Sequence, residues 1–377
     1  MSSQASSRVV GPRTGTGQRV LIVGAGIAGL AVARALAGWG AQLEIVERTS
    51  EPDPGGAGIF LPANGVRGLR ALGLEAPVAE NAVAIGTHRV ADSRGRGLYQ
   101  VDTADLWRGI APTLATSRAT LRTVMLEHVE DVPIRWATRP VSINTRAGEG
   151  AEVAFGDGTT GRYDLVIGAD GVQSAVRRML FGEDGLRDTG IHAWRLIAPR
   201  GEQGPVWSAR LGRGSAFLKV PISADQAYCY IDVSTDQVTA GLDGVETRFK
   251  TALPELRSGN LVHGGPLREV VLPRWSKGHV LLIGDAAHAT RPNMAQGAAM
   301  AIEDALVLAD VLQAGSSVPD AVREYEKRRR PRIEWVQEQS AARDRTRNMA
   351  PGLREVALRA VGKRMFEANY GQLHTEP

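Results

Sequence analysis

The chain has 377 residues, a formal net charge of +4 and 43% hydrophobic residues. This length and composition fit a soluble globular protein of about two domains and exclude a chain too polar to bury a core. The small positive net charge is not accompanied by a zinc-finger, helix-turn-helix or aromatic-basic sequence pattern, so we expect no nucleic-acid partner. The single cysteine, Cys229, excludes an intrachain disulfide and favours a reducing compartment, the cytoplasm, with this thiol buried in a strand.

The first residues of the chain, 1–17, are rich in Ser, Gly and Arg and predict a disordered tail. No segment reaches the roughly 20 apolar residues that a membrane-spanning helix needs. We therefore expect no stable membrane insertion.

The first predicted element is a strand–turn–helix unit around Gly24, Gly26 and Gly29. The run VLIV before Gly24 is typical of a buried parallel strand, and the glycines match the pattern G-x-G-x-x-G. In this pattern the first glycine permits a tight turn, the second lets the backbone approach a pyrophosphate, and the third lets helix and strand pack closely. A helix over 27–37 would direct its N-terminal N–H groups at the phosphates.

An acidic residue follows the second strand, LEIV, at the spacing of a ribose contact. Glu47 lies 23 positions after Gly24, close to the roughly 20 at which dinucleotide-binding folds place the carboxylate that accepts from a ribose hydroxyl. Arg48 follows directly and would cover the adenine face, pair with a phosphate or lie solvated on the surface. This motif alone does not separate NAD from FAD.

Two further predicted strands end at acidic residues. The run DLVIG leads to Asp170 and Gly171, and the run VLLIG leads to Asp285. A carboxylate at such a strand end is suited to accept a hydrogen bond from a sugar-like hydroxyl or to cap the following helix. Both roles stay open at this point.

A proline loop follows Asp285 and leads into a long helix, predicted from about Ala295. The N-terminus of this helix would stabilise negative charge on a reduced flavin. The small residues Ala295, Gly297 and Ala298 leave room for a flat ring. We expect His288 to brace the loop rather than to act as an acid or base.

These three motifs, in this order, resemble the group A, single-component FAD-dependent aromatic hydroxylases, the family of para-hydroxybenzoate hydroxylase. The stretches 55–74, GGAGIFLPANGVRGLRALGL, and 292–305, PNMAQGAAMAIEDA, are most similar to its salicylate- and urate-hydroxylase-like branch. The resemblance covers roughly 19–345. It implies FAD as cofactor and an α/β fold, with a Rossmann-type FAD-binding domain, a mixed, mainly antiparallel β-sheet substrate domain and C-terminal helices.

The resemblance also implies roles for individual residues. Asp170 would lie near both FAD and the nicotinamide, Asp285 would bind the ribityl chain, and Pro292 would edge the isoalloxazine. We treat Pro292 as a catalytic candidate together with Arg195, which would pair with an anionic substrate or lie solvated on the surface. The expected cofactor-binding residues are Gly24, Gly26, Ala28, Gly29, Glu47, Arg48, Gly58, Arg118, Asp170, Gly171, Asp285, Ala295, Gln296, Gly297 and Ala298.

The sequence further predicts how the chain is divided. The FAD-binding domain is expected over 18–75, 104–188 and 270–345, the substrate domain over 76–103 and 189–269, and a C-terminal helical segment over 346–377. Strand-like alternation in 189–269 supports this division. We expect the C-terminal segment to pack onto the FAD domain, with a membrane or partner surface as the alternative, and the basic run EKRRRPR to form a solvated helix face.

The activity implied by the resemblance is that of an NAD(P)H-using monooxygenase. NAD(P)H would bind transiently and reduce FAD, dioxygen would form the flavin C(4a)-hydroperoxide, and an electron-rich aromatic or heteroaromatic small molecule would be hydroxylated. Epoxidation, oxidative decarboxylation or dehydrogenation on the same fold, and a non-catalytic FAD-binding protein, are the alternatives. We expect a monomer or homodimer without a metal, because no His or Cys spacing matches a metal site.

Overall fold

The computed structural model describes residues 15–51, 57–146, 149–182, 185–238, 259–315 and 317–377, so nearly all of the predicted tail lies outside it. The strands are β1 Arg19–Val23, β2 Gln42–Val46, β3 Gly58–Leu61, β4 Val83–Ala84, β5 Thr87–Asp92, β6 Gly97–Asp102, β7 Leu114–Ser117, β8 Ile134–Arg135, β9 Pro140–Arg146, β10 Gly150–Phe155, β11 Thr160–Tyr163, β12 Leu165–Gly168, β13 Leu186–Pro199, β14 Val206–Gly212, β15 Ser215–Pro221, β16 Gln226–Ser234, β17 Asn260–Val270, β18 Ser276–Lys277 and β19 Val280–Leu282. The α-helices are α1 Ile27–Leu36, α2 Ala63–Ala71, α3 Glu75–Ala79, α4 Thr103–Leu106, α5 Arg118–Glu127, α6 Ala175–Phe181, α7 Asp285–His288, α8 Gly297–Gln313, α9 Val318–Arg345 and α10 Pro351–Ala368.

A six-stranded sheet carries the glycine motif and both Asp-bearing loops. Its strand order is β18-β19-β12-β1-β2-β8, and β19, β12, β1 and β2 run parallel. The central strands are aliphatic because both faces are covered; Val20, Leu21 and Ile22, for example, are fully buried. Since the carboxyl ends of parallel strands meet at one edge of a sheet, the three predicted loops lie side by side.

A seven-stranded sheet in the order β17-β13-β16-β15-β14-β5-β6 stands opposite this edge. All its neighbouring strands are antiparallel except β14 and β5. Its side chains alternate between two faces, so that Tyr228 and Tyr230 of β16 lie on one face and Cys229 and Ile231 on the other. The predicted fold class, a Rossmann-type domain with a mixed, mainly antiparallel second sheet and C-terminal helices, is confirmed.

The C-terminal helices pack onto both sheets. Helix α9 lies against α8, and α10 lies against β6, burying Arg354, Gly362 and Phe366 while its opposite side stays exposed. The prediction of a solvated face for the basic run on α9 is wrong in part, because Arg329 and Arg332 are buried. Among the helices of the described ranges, none has an apolar stretch of the length that a bilayer crossing requires.

Candidate active site

The glycine turn after β1 has the shape that a pyrophosphate site needs. Gly24 has a φ of +111°, and a Cβ there would lie 2.5 Å from the carbonyl oxygen of Ala169. A Cβ at Gly29 would lie 1.9 Å from the carbonyl oxygen of Gly24, so α1 and the turn are too close for a side chain. At Gly26, by contrast, a Cβ would meet nothing within 4 Å. The open side of the turn is therefore at the second glycine, where a phosphate approaches the backbone in this type of fold.

Glu47 lies against this turn. One carboxylate oxygen accepts the N–H of Ala25 at 2.9 Å, and the other accepts the N–H of Thr49 at 3.1 Å. These two bonds fix the carboxylate at the glycine turn and leave lone pairs for a ribose hydroxyl. Arg48 is exposed beside it.

Helix α5 contributes two arginines, of which the sequence analysis identified one. Arg118 begins the helix, and its side chain lines a large cavity. Arg122 was missed; its Nε donates to the carbonyl oxygen of Ala25 at 2.9 Å, and its guanidinium lies 5.7 Å from the centre of a Trp136 ring. The signal was present in the spacing, because residues four apart share one face of a helix.

Two predicted cofactor residues have packing roles. A Cβ at Gly58 would lie 2.2 Å from the Cβ of Tyr228, so the glycine lets β3 approach β16. The Cβ of Ala28 lies 2.9 Å from the position that a Cβ on Gly284 would take, so Ala28 packs where Gly284 has no room for a side chain. Close contact between elements is the physical reason for both residues.

Asp170 caps the helix that follows it. Its carboxylate accepts the hydroxyl of Ser174 at 2.5 Å and the N–H groups of Ala175 and Val176 at 2.7 and 3.1 Å. Gly171 supplies a φ of +78° in the same loop. In this structure the Asp170 side chain therefore caps a helix, which was one of the two roles left open by the sequence. The contact of Asp170 with FAD and the nicotinamide stays a prediction.

Asp285 has a different environment. Its carboxylate is exposed, lines the cavity and has no hydrogen-bond or ion-pair partner in the described part of the chain. The Gly284 N–H beside it donates to Asp304 at 2.9 Å, which holds the loop from behind. The Asp285 side chain is thus left available to a ligand.

The helix after the proline loop begins later than predicted. Pro292 belongs to a short 3-10 turn, Ala295 has a left-handed φ of +53°, and α8 begins at Gly297. Gln296 is fully buried, and its side chain bonds to Asn64 at 3.0 Å. Backbone groups of this turn and the small Gly297 and Ala298 face the cavity, whereas the Gln296 side chain points away from it.

A buried ionic network lies beneath this turn. Arg329 donates to Glu303 at 2.9 Å and to Asp304 at 2.8 Å, and Arg332 makes two 2.8 Å bonds to Glu303. His288 bonds to Asp304 at 2.7 Å, so it braces the loop in this structure. Burial alone would raise the pKa of Glu303, but the two arginines outweigh it and hold that pKa below its usual value.

A cavity of about 1130 Å³ joins the cofactor loops to the seven-stranded sheet. On the sheet side, Arg195 lies with its guanidinium carbon 5.8 Å from the ring centre of Tyr230 and interacts with the hydroxyl of Tyr228. Burial raises the pKa of Tyr228 to about 12, although Arg195 opposes the shift. On the cofactor side, Pro292 and Asp285 form the facing wall.

These features fit a flavin dinucleotide. The open glycine turn with Glu47 suits a pyrophosphate and a ribose, and the unpartnered Asp285 suits a polyol. In the described ranges, no three His, Cys, Asp or Glu side chains are placed to hold a metal ion.

The sequence profile of the FAD binding domain family matches residues 18–340. A 2-heptyl-3-hydroxy-4(1H)-quinolone synthase of Pseudomonas aeruginosa is 33% identical, over 85% of this chain and 87% of its own. The FAD-dependent urate hydroxylase of Mycolicibacterium vanbaalenii is 30% identical, over 77% of this chain and 78% of its own. The chain belongs to the FAD-dependent aromatic monooxygenases.

A crystal structure of one such monooxygenase, Klebsiella pneumoniae HpxO complexed with FAD and uric acid, superposes on this fold. The TM-score is 0.85 at 26% identity, with 96% of this chain and 97% of that chain covered. FAD is accordingly the cofactor of this monooxygenase. The family assignment confirms the resemblance inferred from the three motifs.

Proposed function

We propose that this monooxygenase uses NAD(P)H and dioxygen to hydroxylate an electron-rich aromatic or heteroaromatic small molecule in the cavity between the two sheets. The observation that carries the proposal is that one cavity is lined both by Asp285 and Pro292 of the cofactor loops and by Arg195 and Tyr230 of the sheet. Bound FAD would accept two electrons from NAD(P)H and use them to activate dioxygen, of which one oxygen atom enters the product and the other leaves as water. The protein has to place the ring beside the cofactor and exclude water.

Arg195 is the residue that we assign to the substrate. Its positive charge lies on a cavity wall between two tyrosines whose phenols burial keeps protonated. A cation in such an enclosed space favours the ionised form of a ring hydroxyl or carboxylate. An ionised phenol is more electron-rich, which favours attack by an electrophilic oxygen.

Pro292 is proposed to act through the backbone. It begins the 3-10 turn that leads to the left-handed Ala295, and it lines the cavity. The fixed φ of proline limits the movement of this turn. We assign it the edge of the flavin ring, with Arg118 and the backbone of Ala295 and Ala298 around it.

NAD(P)H is proposed to bind transiently. The pattern G-x-G-x-x-G occurs a second time at Gly156–Gly161, but there it forms the turn between the antiparallel strands β10 and β11 and opens no helix. Among the described residues, the unit after β1 is therefore the only one with the strand–turn–helix context that binds a dinucleotide. The names of the relatives support a heteroaromatic substrate, a quinolone in one case and urate in another. We further propose that the protein is cytoplasmic, that it is a monomer or a homodimer, and that it binds no nucleic acid.

An anaerobic absorbance titration tests this function. The purified FAD-bound protein is mixed with NADH or NADPH in the presence of a panel of phenols, aromatic acids and hydroxylated heterocycles. We expect one aromatic class to accelerate bleaching of the flavin band strongly. If neither nicotinamide reduces the flavin with any compound, the monooxygenase reaction is refuted and a non-catalytic FAD-binding protein takes its place.

Labelled dioxygen separates hydroxylation from the other flavin oxidations. Turnover under ¹⁸O₂ should place one labelled atom in the product, detected by mass spectrometry. An oxidised product without label would identify dehydrogenation instead. The variant Arg195→Met should raise the Kd of anionic aromatics, whereas Arg210→Met on the opposite sheet face should not.

A further inference from the structure

The cavity continues past the cofactor loops along one face of the seven-stranded sheet. Its wall follows a single cross-strand row in which Arg195 pairs with Tyr230, Tyr230 with Leu218, Leu218 with Ala209, and Ala209 with Val90. All five residues line the cavity. The row changes from polar to apolar as it passes from β16 to β15.

Helix α10 closes the apolar half of the cavity from the other side. Leu358 lines the cavity and packs against the cluster that contains Val90 and Ala209. Gly362 and Phe366 follow on the same side of the helix and also line the cavity. We call this part of the cavity the apolar arm; its wall is formed by Val90, Trp207, Ala209, Leu218, Leu358 and Phe366.

Charged side chains near the apolar arm are bonded to other protein groups. Arg343 donates to the carbonyl oxygen of Asn293 at 2.7 Å, with its guanidinium 5.1 Å from the Phe366 ring centre, and Arg354 donates to the carbonyl oxygen of Gly212 at 2.9 Å. Asp232, beyond Tyr230 on β16, forms an ion pair with Arg347. His88 lies behind Trp207, stacked at 4.8 Å between ring centres, and burial lowers its pKa to about 3, so it is neutral. The six residues that form the wall of the apolar arm carry no charge, so this wall accepts hydrocarbon and disfavours a strongly hydrated group.

The length of the apolar arm exceeds a single ring. Tyr230 and Val90 are three strand spacings apart, which corresponds to about 14 Å. A ring bound beside Arg195 and Asp285 would leave most of this distance empty. A substituent several carbons long would fill it.

We propose that the substrate is a hydroxylated aromatic or heteroaromatic ring that carries an aliphatic chain, and that the apolar arm binds this chain. The inference rests on the proposed function, because it places the ring at the cofactor end of the same cavity. Arg195 orients the ring through its polar substituent, and the chain extends along the sheet under α10.

A chain-length series tests the apolar arm. The oxidised FAD-bound protein is titrated with 4-alkylphenols and with 2-alkyl-4-hydroxyquinolines, from methyl to nonyl, and Kd is read from the perturbation of the flavin absorbance. We expect Kd in at least one series to fall about fourfold for each added methylene until the arm is full, and then to level off. A Kd that does not depend on chain length in either series overturns the proposal.

Two variants of α10 separate binding in the arm from non-specific adsorption. Leu358→Trp fills the arm and should flatten the dependence of Kd on chain length. Ala357→Trp adds the same ring one residue away, on the exposed side of the helix, and should keep the wild-type dependence. Val90→Phe fills the arm from the sheet side and replaces Leu358→Trp if that variant does not fold. If Kd depends on chain length equally in the filled and the control variants, the aliphatic chain binds elsewhere and the proposal is refuted.

The two proposals fail in different ways. Kd is measured on oxidised enzyme without NAD(P)H, so chain-length binding is independent of turnover. If a short-chain phenol accelerates flavin reduction but longer chains bind no better, the function stands and the arm is refuted. If chains bind as expected but no nicotinamide reduces the flavin, the arm stands as a ligand site and the monooxygenase reaction falls.

Discussion

The loops after β12 and β19 begin from neighbouring parallel strands, and each carries an aspartate close behind a glycine, yet they use that aspartate in opposite ways. Asp170 accepts three hydrogen bonds from its own loop and helix. Asp285 accepts none in the described ranges, because Asp304 on another helix holds its loop through the Gly284 N–H. A ligand-binding carboxylate stays available only when another residue supplies the structural bonds.

The largest expected effect comes from removing the support behind the Asp285 loop. Arg329→Met leaves the buried Asp304 without its arginine and should lower the free energy of unfolding by about 3–5 kcal/mol. The neighbouring Arg328→Met loses an ion pair with the exposed Asp310 and a 3.5 Å hydrogen bond to the Pro377 carbonyl, and should cost below about 1 kcal/mol. Urea unfolding of both variants checks this; similar losses would show that the network does not support the loop.

The second test concerns the available carboxylate itself. Asp285→Ala should weaken FAD binding about thirtyfold, the effect of losing about 2 kcal/mol from a hydrogen bond to a charged group. The melting temperature of the FAD-free protein should barely change, because the side chain has no partner in the described chain. FAD content and Kd, from the quenching of flavin fluorescence, check the first part, and a fully flavinated variant contradicts the assignment.

The third prediction concerns a buried ionisable side chain, His88. It differs from Glu303 and Asp304, whose burial is offset by ion pairs with arginines. Within the described ranges, neither ring nitrogen of His88 has a hydrogen-bond partner, and burial lowers the pKa of this residue to about 3. As pH falls below about 6.5, the imidazole is therefore protonated in the unfolded chain but stays neutral in the folded protein. Acidification from pH 7 to pH 5 should lower the free energy of unfolding by about 2 kcal/mol through this residue. His88→Phe should lose less stability than wild type over this interval in unfolding curves; parallel curves would contradict the burial of a neutral imidazole.

The smallest effect is expected at the self-capped loop. Asp170→Ala removes the cap of α6 and should lower the melting temperature through a loss of about 1 kcal/mol, as should Ser174→Ala, whose hydroxyl accepts the N–H of Arg177. Calorimetry on the FAD-free protein measures both. A loss of FAD affinity in Asp170→Ala as large as that in Asp285→Ala would remove the distinction between the loops.

The cofactor-binding half of the molecule could be predicted from the sequence because local backbone constraints define it. Gly29 is required by its contact with the Gly24 carbonyl five residues earlier, Gly24 has a left-handed φ within the same turn, and the aliphatic runs before each loop are unambiguous. The same reasoning failed for Arg329, whose partner Glu303 lies 26 positions away. A run of basic residues has the same pattern whether it faces water or a buried carboxylate, so only the tertiary packing decides.

The substrate-binding half of the molecule was harder to predict from the sequence, for a related reason. Strand alternation predicts that β16 has two faces, but not which face meets the cofactor. The left-handed Ala295 and the helix that closes the cavity also depend on packing between distant segments. Arg195 was chosen as a candidate because its residue type suits an anion, and it lines the cavity. Leu358 and Ala209 carry no chemical signal of their own.

The burial of Cys229 in the sheet core has a practical consequence for labelling chemistry. It is the only cysteine in the sequence and is inaccessible to solvent, and a buried thiol of this kind is inert to maleimides. A cysteine introduced at the exposed Ala357 would then be the single reactive thiol in an otherwise native protein. A fluorophore attached there would report, in real time, whether the last long helix moves when a ligand enters beneath it.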